Sequence, residues 1–327
     1  MKHLLSRFKK LGGLPLLASV AVLSLLTSLY AGDQGFNKFN HERIWGIGLI
    51  VLLFFLAGFL LDLVDSIFKA KRFVDQKTGQ VNVAGLWRQI YTSPLAGIAV
   101  VFIMFVGVTN AQDVSEVYRN SAQHWHDAEL WLLEAGCLTA LEGSFIDCPA
   151  FWDSIYFSLW TYLIMAYAIL YKMDRFHYAG ILSIATVVSF FITRFSALAY
   201  PTAGPVFYQP ELFNVGGTLS GKAQNMLLVY MQGRIVQNGF IPGTMGMPSL
   251  HIALTFIATW LLACSARWTL WLTVPLTGLI WLSTVMLGWH YIVDGLGGIA
   301  VAAVSMALAH GLLKLMQCQS KPASGTG

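Results

Sequence analysis

Two histidines and an aspartate in the last third of the chain have the residue types and the spacing for phosphoryl transfer. His290 and Asp294 are four residues apart, which puts both side chains on one face of a helix. The carboxylate can accept a hydrogen bond from one ring nitrogen and leave the other nitrogen as a nucleophile. It can also stabilise the cationic ring that forms when His290 attacks phosphorus. His251 can then act as general acid for the leaving oxygen and as base for the incoming nucleophile.

The segment around His251, which reads GMPSLH, has the features of an anion-binding helix start. Pro248 suits the first turn of a helix, and Ser249 offers a hydroxyl and backbone N–H groups to a substrate near the positive helix end. The alternative is that the histidines are simply amphipathic side chains at an interface and that the His–x–x–x–Asp pair is structural. Ionisable groups in membrane helices are functional candidates by default, so the two segments together favour a site.

The composition indicates that membrane helices must position these residues. The chain has 327 residues, of which 56% are hydrophobic and 11% charged, and its mean hydropathy is +0.63. Such a chain lacks the polar coat of a soluble domain, and a bilayer admits helices but no open sheet edge. The net charge of +4 comes from basic residues at the ends of apolar runs, and no basic tract is interleaved with aromatic residues. We therefore predict an all-α, polytopic membrane bundle with no nucleic-acid partner.

About eight apolar runs are long enough, or nearly so, to cross the hydrocarbon core as helices. The predicted spans are approximately Leu14–Tyr30, Ile44–Leu61, Pro94–Val108, Phe151–Tyr171, Ala179–Leu198, Pro248–Cys264, Thr269–Leu287 and Tyr291–Leu315. Basic residues concentrate in alternate loops and at both ends of the chain, so the positive-inside rule puts both termini in the cytoplasm. His251, His290 and Asp294 then all reach the outer face of the membrane.

The spans and loops divide the chain into four predicted parts. Residues 1–110 hold N-terminal transmembrane helices, 111–150 an extracytoplasmic loop or interfacial helix, 151–318 the catalytic core and 319–327 a cytoplasmic tail. The N-terminus also resembles a signal peptide, because a basic start precedes an apolar run that ends in SLYA. That run is long for a signal peptide, so we expect a retained anchor in the plasma (inner) membrane.

Two of the four cysteines, Cys137 and Cys148, share the long outer loop after the third span. Oxidation is possible on that side of the membrane. A bridge would close a short loop and add about 2–3 kcal/mol of stability through chain entropy. We expect this bridge, and the alternative is a pair of unpaired thiols.

The two histidine segments together resemble motifs of a known superfamily. GMPSLH followed by GWHYIVDGLGG is similar to the second and third motifs of the type 2 phosphatidic acid phosphatase superfamily. The Met-Pro-Ser-Leu-His form, with YPTAGPVFY upstream, is more similar to the branch that contains inositol phosphorylceramide synthases. The resemblance covers the chain from about the fifth span onwards. It implies a cofactor-free, metal-independent transfer through a phosphohistidine on a lipid phosphate, with His290 as nucleophile, Asp294 as its orienting partner and His251 as general acid.

The phosphate-binding residues of this superfamily are not at their usual places. Its first motif has a lysine and then an Arg-Pro pair, but counting back from Pro201 gives Tyr200 and Thr193, with Arg194 one residue away. The third motif usually opens with Ser-Arg, and Thr284 stands where the arginine would be. Because phosphoryl transfer needs positive charge, Arg194 is the best candidate for the clamp. The alternative for Arg194 is snorkelling from a helix end.

Other residues near these motifs are weaker candidates for substrate binding. Lys222 and Arg234 lie in the long loop before GMPSLH and can fold over the site, although loop charges of this kind are usually only solvated. We expect Tyr200, Pro205 and Tyr208 to shape the outer mouth of the site.

The HWHD segment of the outer loop invites interpretation as a metal site. His124 and His126 are two residues apart, which on a helix points them away from each other, and further ligands cannot be placed. The segment that follows, DAELWLLEAGCLTALEGSF, has helical periodicity with one apolar face. We therefore predict an interfacial helix and no metal. Asp153, near the start of the fourth span, needs no special role.

Three functions remain open at this point. If water resolves the phosphohistidine, the protein is a phosphatase acting on a phosphatidate-like or polyprenyl-diphosphate lipid. If a lipid or sugar hydroxyl resolves it, the protein is a head-group transferase of the inositol phosphorylceramide synthase type. The third function is a non-catalytic scaffold that binds or transports lipid. We predict an enzyme, because both histidines and the aspartate are present.

Overall fold

A computed structural model describes residues 2–31, 95–111, 125–145, 148–231 and 246–319, together with six single positions between 49 and 64. All the regular structure within these residues is helical, and we number the described helices in chain order. They are α1 (Lys2–Lys10), α2 (Gly13–Ala31), α3 (Leu95–Ala111), α4 (Asp127–Phe145), α5 (Pro149–Lys172), α6 (Phe176–Ala199), α7 (Pro205–Tyr208), α8 (Leu219–Met231), α9 (Leu250–Ser265), α10 (Leu270–Met286) and α11 (Ile292–Gln319), with 3₁₀ turns at Pro210–Leu212 and Arg267–Thr269.

The apolar helices indicate a membrane protein. Four helical segments are long and apolar enough to cross a bilayer, namely α5, α6, Arg267–Met286 and most of α11. Gly13–Thr27, Leu95–Ala111 and Leu250–Ser265 are apolar but shorter. These four segments and three shorter helices coincide with seven of the eight predicted spans. The remaining one, Ile44–Leu61, lies outside the described residues apart from single positions.

Helix α6 lies at the centre of the bundle. Its apolar side chains cover more than one face, and Ile184, Ala185 and Val187 are completely buried. A helix that is apolar all round must be surrounded by other helices. Accordingly, α6 packs against α2, α3, α5, α9 and α11, while α9 also packs against α5, α10 and α11. The three mutual neighbours α6, α9 and α11 carry the candidate catalytic residues at or next to their ends.

Two pairs of polar side chains inside the bundle are hydrogen-bonded across helices. Ser189 Oγ of α6 donates a hydrogen bond to Ser305 Oγ of α11 at 2.9 Å. Tyr162 of α5 shares a 2.7 Å hydrogen bond with Thr259 of α9. An unpaired buried polar group costs about 1–3 kcal/mol, so these bonds favour one register of each helix against its neighbour.

The segment DAELWLLEAGCLTALEGSF is helical, as predicted, and forms α4, but one face of this helix is buried in the protein. Leu130 and Leu138 form an apolar cluster with Val285 at the end of α10 and Tyr291 just before α11. Helix α4 therefore covers the connection between α10 and α11.

The predicted bridge between Cys137 and Cys148 is wrong for this structure, because both thiols are free and exposed. Cys137 lies on the outer face of α4, next to the exposed Gly136, and Cys148 immediately precedes α5. The prediction rested on the short separation of the two cysteines and on a side of the membrane where oxidation is possible. In the structure, helix α4 and the start of α5 fix the positions of the two thiols.

Candidate active site

The start of α11 holds the first pair of candidate residues. Asp294 is completely buried in the first turn of the helix. Its Oδ2 atom accepts a hydrogen bond from the backbone N–H of Tyr291 at 2.8 Å and lies 3.3 Å from Nδ1 of His290. His290 exposes 6% of its surface. The carboxylate thus contacts Nδ1 of the imidazole, and Nε2 is not part of this contact.

A tight backbone turn brings His290 from the end of α10 to the start of α11. The carbonyl oxygen of Thr284 accepts hydrogen bonds from the backbone N–H groups of Trp289 at 2.9 Å and His290 at 3.2 Å. Gly288 has a φ of +68°, a conformation that favours glycine. A Cβ atom at this position would come within 2.6 Å of the Cβ atom of Val206. Backbone geometry therefore explains why glycine precedes Trp289.

The start of α9 is attached directly to the start of α11. The backbone N–H of Ser249 donates to the carbonyl oxygen of Asp294 at 2.9 Å, and Ser249 Oγ caps α9 by accepting from the N–H of Ile252 at 3.5 Å. Gly298 permits this close approach, because a Cβ atom there would lie 2.4 Å from the carbonyl oxygen of Ser249. Ser249 is completely buried, so its described contacts hold the two helix starts together.

His251, in the first turn of α9, faces His290. The two ring centroids are 5.9 Å apart and the ring planes are inclined by 61°. Tyr156 of α5 stacks on His251 at 4.2 Å, and it also stacks with Trp289 at 5.7 Å. The structure therefore places the two candidate histidines in one aromatic cluster.

Arg194 of α6 brings positive charge to this cluster. The residue is 6% exposed. The guanidinium charge interacts electrostatically with His251 and with Tyr156. Such burial does not fit a side chain that snorkels to water. Thr193, at the place of the usual lysine, is buried and donates to the carbonyl oxygen of Ser189 in its own helix at 2.8 Å.

The YPTAGP segment after α6 joins the two histidine loops through hydrogen bonds and close packing. Thr202 accepts from the backbone N–H of Gly246 with its carbonyl oxygen at 2.8 Å and from that of Met247 with its hydroxyl at 2.7 Å. Gly204 has a φ of +113°, and a Cβ atom there would lie 2.5 Å from the carbonyl oxygen of Trp289. The segment thus packs tightly between GMPSLH and GWHYIVDG.

Tyr200 contacts α4 and the residue just before it. Its hydroxyl donates to Glu129 Oε2 at 3.0 Å, and its ring stacks on His126 with a centroid distance of 4.0 Å. Burial and the Glu129 carboxylate raise the pKa of Tyr200. These contacts connect α4 to the end of α6. His124, the other histidine of HWHD, lies outside the described residues.

The structure describes only one of the two loop cations of the sequence analysis. Lys222 is exposed on α8, and Arg234 lies outside the part of the chain that the structure describes. Asp153 accepts from the backbone N–H groups of Leu219 and Ser220 at 2.9 Å each. It therefore caps the start of α8, a role that its place in the sequence did not indicate.

Asp127 is one of two buried carboxylates of α4 that the sequence analysis did not select. It accepts from the backbone N–H groups of Ala203 at 2.9 Å and Gly204 at 2.8 Å. The hydroxyl of Tyr291 donates to the carbonyl oxygen of Asp127 at 3.2 Å and to Oδ1 at 3.3 Å. Burial raises the pKa of the Asp127 carboxyl, although these hydrogen bonds oppose the shift.

Glu134 is the second buried carboxylate of α4, and it caps α11. It accepts from the backbone N–H groups of Ile292 at 2.6 Å and Val293 at 2.7 Å. Burial raises the pKa of Glu134, and the Asp294 carboxylate adds to the shift. The available signal was its helical spacing, because Asp127 and Glu134 are seven residues apart and share the face of Leu130 and Leu138.

Comparison with protein families supports the assignment of the region that holds these histidines. Residues 148–308 match the PAP2 superfamily. The matched region includes α5, α6 and α9 with the candidate residues, whereas α4 precedes it. No significant match was found among curated proteins or among solved structures. Proteins of the PAP2 superfamily are generally phosphatases, so the PAP2 region suggests a phosphatase-type lipid enzyme.

The PAP2 region brings together side chains that can serve nucleophilic and acid–base chemistry on a phosphate. Two imidazoles face each other, one of them contacts a buried carboxylate, and the Arg194 guanidinium acts on the other. Within the residues that the structure describes, no group of three or more His, Cys, Asp or Glu side chains is arranged to hold a metal ion.

Proposed function

We propose that the protein is an integral membrane enzyme that cleaves a lipid phosphate or phosphodiester through a phosphohistidine on His290. The observation that carries this proposal is the geometry of His290. Its Nδ1 atom lies 3.3 Å from a completely buried Asp294, and its ring centroid lies 5.9 Å from that of His251. The PAP2 match of the surrounding region supports the same chemistry.

The reaction begins when Nε2 of His290 attacks the phosphorus atom and the bond from phosphorus to the lipid oxygen breaks. His251 gives its proton to that leaving oxygen. Asp294 stabilises the positive charge that the phosphorylated imidazole carries. In the second step His251 takes a proton from water or from an acceptor hydroxyl, whose oxygen attacks phosphorus. The bond between phosphorus and nitrogen breaks, and both histidines return to their starting states.

Arg194 supplies the positive charge for the phosphate in this mechanism. Its burial makes the charge effective, because charges interact more strongly away from water. The Ser249 hydroxyl and Tyr200 remain our candidates for additional phosphate contacts, and Lys222 and Arg234 for contacts at the outer mouth. The proposed reaction needs no metal or other cofactor.

We place the reaction at the extracytoplasmic face of the plasma (inner) membrane, with both termini in the cytoplasm. Basic residues support this orientation, because Lys9 and Lys10 precede α2 and Lys172 and Arg175 connect α5 to α6. The catalytic cluster lies at the other end of α6 from the Lys172–Arg175 connection.

A head-group transferase, as in the inositol phosphorylceramide synthase branch, is the second candidate. The observation that favours it is the burial of His290, which is 6% exposed and lies in one aromatic cluster with His251. Restricted access of water would leave the phosphohistidine to a lipid or sugar hydroxyl. The same first step serves both reactions.

The deciding experiment measures phosphate release and head-group transfer by the purified protein in detergent with a metal chelator. A panel of lipid phosphates, lipid diphosphates and phosphodiesters is tested, with and without hydroxyl acceptors. We expect His290→Ala to abolish both release and transfer, and quenching of the wild type in an alkaline denaturant to trap a phosphoenzyme that later acid treatment hydrolyses. Glu211→Gln, at an exposed carboxylate, is the control.

The outcomes separate the three functions. Release without an acceptor identifies a phosphatase, and product that requires an acceptor identifies a transferase. Equal rates for the wild type and His290→Ala would overturn the phosphohistidine. Lipid binding without release, transfer or phosphoenzyme would identify the protein as a scaffold.

A further inference from the structure

Helix α4 precedes the region that matches the PAP2 superfamily, yet its carboxylates bind the first turn of α11, just after His290, and the Gly204 backbone that packs against Trp289. We propose that α4 is a positioning element of the active site and acts through Glu134 and Asp127. The kinetic part of this inference rests on the proposed function, whereas the structural part does not.

Glu134 holds the first turn of α11 at its backbone. Its two carboxylate oxygens accept from consecutive N–H groups, those of Ile292 and Val293, at 2.6 and 2.7 Å. Asp294 is the next residue, and its own carboxylate lies 3.3 Å from His290. A small displacement of this turn would therefore change the contact that orients the nucleophile. Helix α11 has no other described side-chain acceptor for these two N–H groups.

Asp127 binds two other groups close to His290. It binds the N–H groups of Ala203 and Gly204, and Gly204 packs against the carbonyl oxygen of Trp289. It also receives the hydroxyl of Tyr291, whose side chain is completely buried. Trp289 and Tyr291 are the two neighbours of His290 in the chain. Asp127 thus fixes the backbone before His290 and the side chain after it.

Because both carboxylates are negatively charged, we infer that they position the backbone around His290 and do not bind the anionic substrate. Both interact unfavourably with the Asp294 carboxylate, and both would repel a phosphate bound near His290. Removing either charge should help an anionic substrate to bind, if electrostatics alone decided the result. Loss of turnover without weaker binding would therefore identify a positioning role.

The test compares Glu134→Gln, Glu134→Ala and Asp127→Asn with the charge-matched control Glu211→Gln. Steady-state kinetics uses the lipid phosphate that the panel identifies, and hydrogen exchange measured by mass spectrometry follows the peptide that contains residues 288–296. We expect Glu134→Ala to lower kcat about 100-fold while KM rises less than about threefold. Glu134→Gln keeps one acceptor oxygen, so it should retain an intermediate kcat. Asp127→Asn should behave like Glu134→Gln.

Hydrogen exchange decides the structural part without any activity. We expect residues 288–296 to exchange at least tenfold faster in Glu134→Ala than in the wild type, while the interior of α6 changes little. The same exchange in both proteins would overturn the proposal. So would wild-type kcat in Glu134→Ala, or a rise in KM that accounts for the whole loss of activity. If the wild type is inactive on every lipid, the proposed function fails, and the exchange rates alone decide whether α4 positions the turn.

Discussion

One carboxylate oxygen of Asp294 contacts both the main chain and the imidazole of His290. Its Oδ2 atom accepts from the backbone N–H of Tyr291 at 2.8 Å and lies 3.3 Å from Nδ1 of His290. An amide at this position keeps the size of the side chain but loses the charge. The charge is needed when the attacked imidazole becomes cationic, so an isosteric change separates packing from chemistry.

Asp294→Asn should lower kcat about 100-fold or more while the thermal unfolding midpoint stays near that of the wild type. The reason is that the amide cannot stabilise the cationic phosphohistidine. Initial rates with the best lipid phosphate, together with the amount of trapped phosphoenzyme, measure the effect. A rate within twofold of wild type would contradict the role that we assign to Asp294.

Tyr156 should act through its ring and not through its hydroxyl. The ring stacks on His251 at 4.2 Å, and an aromatic pair contributes about 0.5–1.5 kcal/mol beyond burial. We expect Tyr156→Leu to lower kcat up to about tenfold, since 1.4 kcal/mol corresponds to a factor of ten. Tyr156→Phe keeps the ring and should stay close to wild type. The reverse order in parallel kinetic assays would show that the hydroxyl matters instead.

Helices α9 and α11 approach each other closely at a glycine, which has no side chain. Helix α11 meets the start of α9 at Gly298, where a Cβ atom would lie 2.4 Å from the carbonyl oxygen of Ser249 and 3.1 Å from the Cβ atom of Ile252. A backbone oxygen cannot move aside as the end of a flexible side chain can. The close distance between these two helix starts therefore requires that residue 298 has no Cβ atom.

Gly298→Ala should destabilise the protein by about 1–3 kcal/mol, because the added methyl group overpacks the contact between α9 and α11. Gly311→Ala is the matched control in the same helix, since a Cβ atom there meets nothing within 4 Å. Thermal unfolding in detergent compares the two variants. Equal midpoints would mean that the helices separate without cost.

The sequence predicted elements better than it predicted the contacts between them. Apolar runs located α5, α6 and α9, and the periodicity of DAELWLLEAGCLTALEGSF located α4. Motif spacing selected three residues that the structure brings together. It did not select Glu134, because a carboxylate in an apolar stripe gives no sign of the distant N–H groups that it binds. The predicted disulfide was wrong for a similar reason, because loop length says nothing about helix orientation.

In the molecule as a whole, two buried carboxylates, Asp127 and Glu134, connect α4 to the PAP2 region, residues 148–308. Burial raises the pKa values of Asp127 and Glu134 above their ordinary values near 4. A raised pKa means that the folded protein binds the proton more tightly than the unfolded chain does. The contribution of these groups to the free energy of unfolding is therefore largest at low pH and falls as pH rises through the raised pKa values.

The double variant Asp127→Asn/Glu134→Gln should remove this part of the pH dependence. We expect the difference in unfolding midpoint between the wild type and the double variant to change as pH rises from about 4, in the direction that disfavours the wild type, and then to level off. Thermal unfolding in detergent over a series of buffers measures it. A difference that is constant with pH, or that favours the wild type increasingly, would contradict the raised pKa values.

The bond between Glu134 and Ile292 also constrains the order in which the protein is made. Its two partners are 158 positions apart in the chain, and the ribosome adds the N-terminal partner first. The two hydrogen bonds of the Glu134 carboxylate therefore cannot form until Ile292 and Val293, at the start of α11, have been synthesised. Translation that stops before Ile292 leaves Glu134 without these two partners, although the partners of Asp127 at Ala203 and Gly204 are already present. The candidate site is thus completed only after every described helix before α11 has been synthesised.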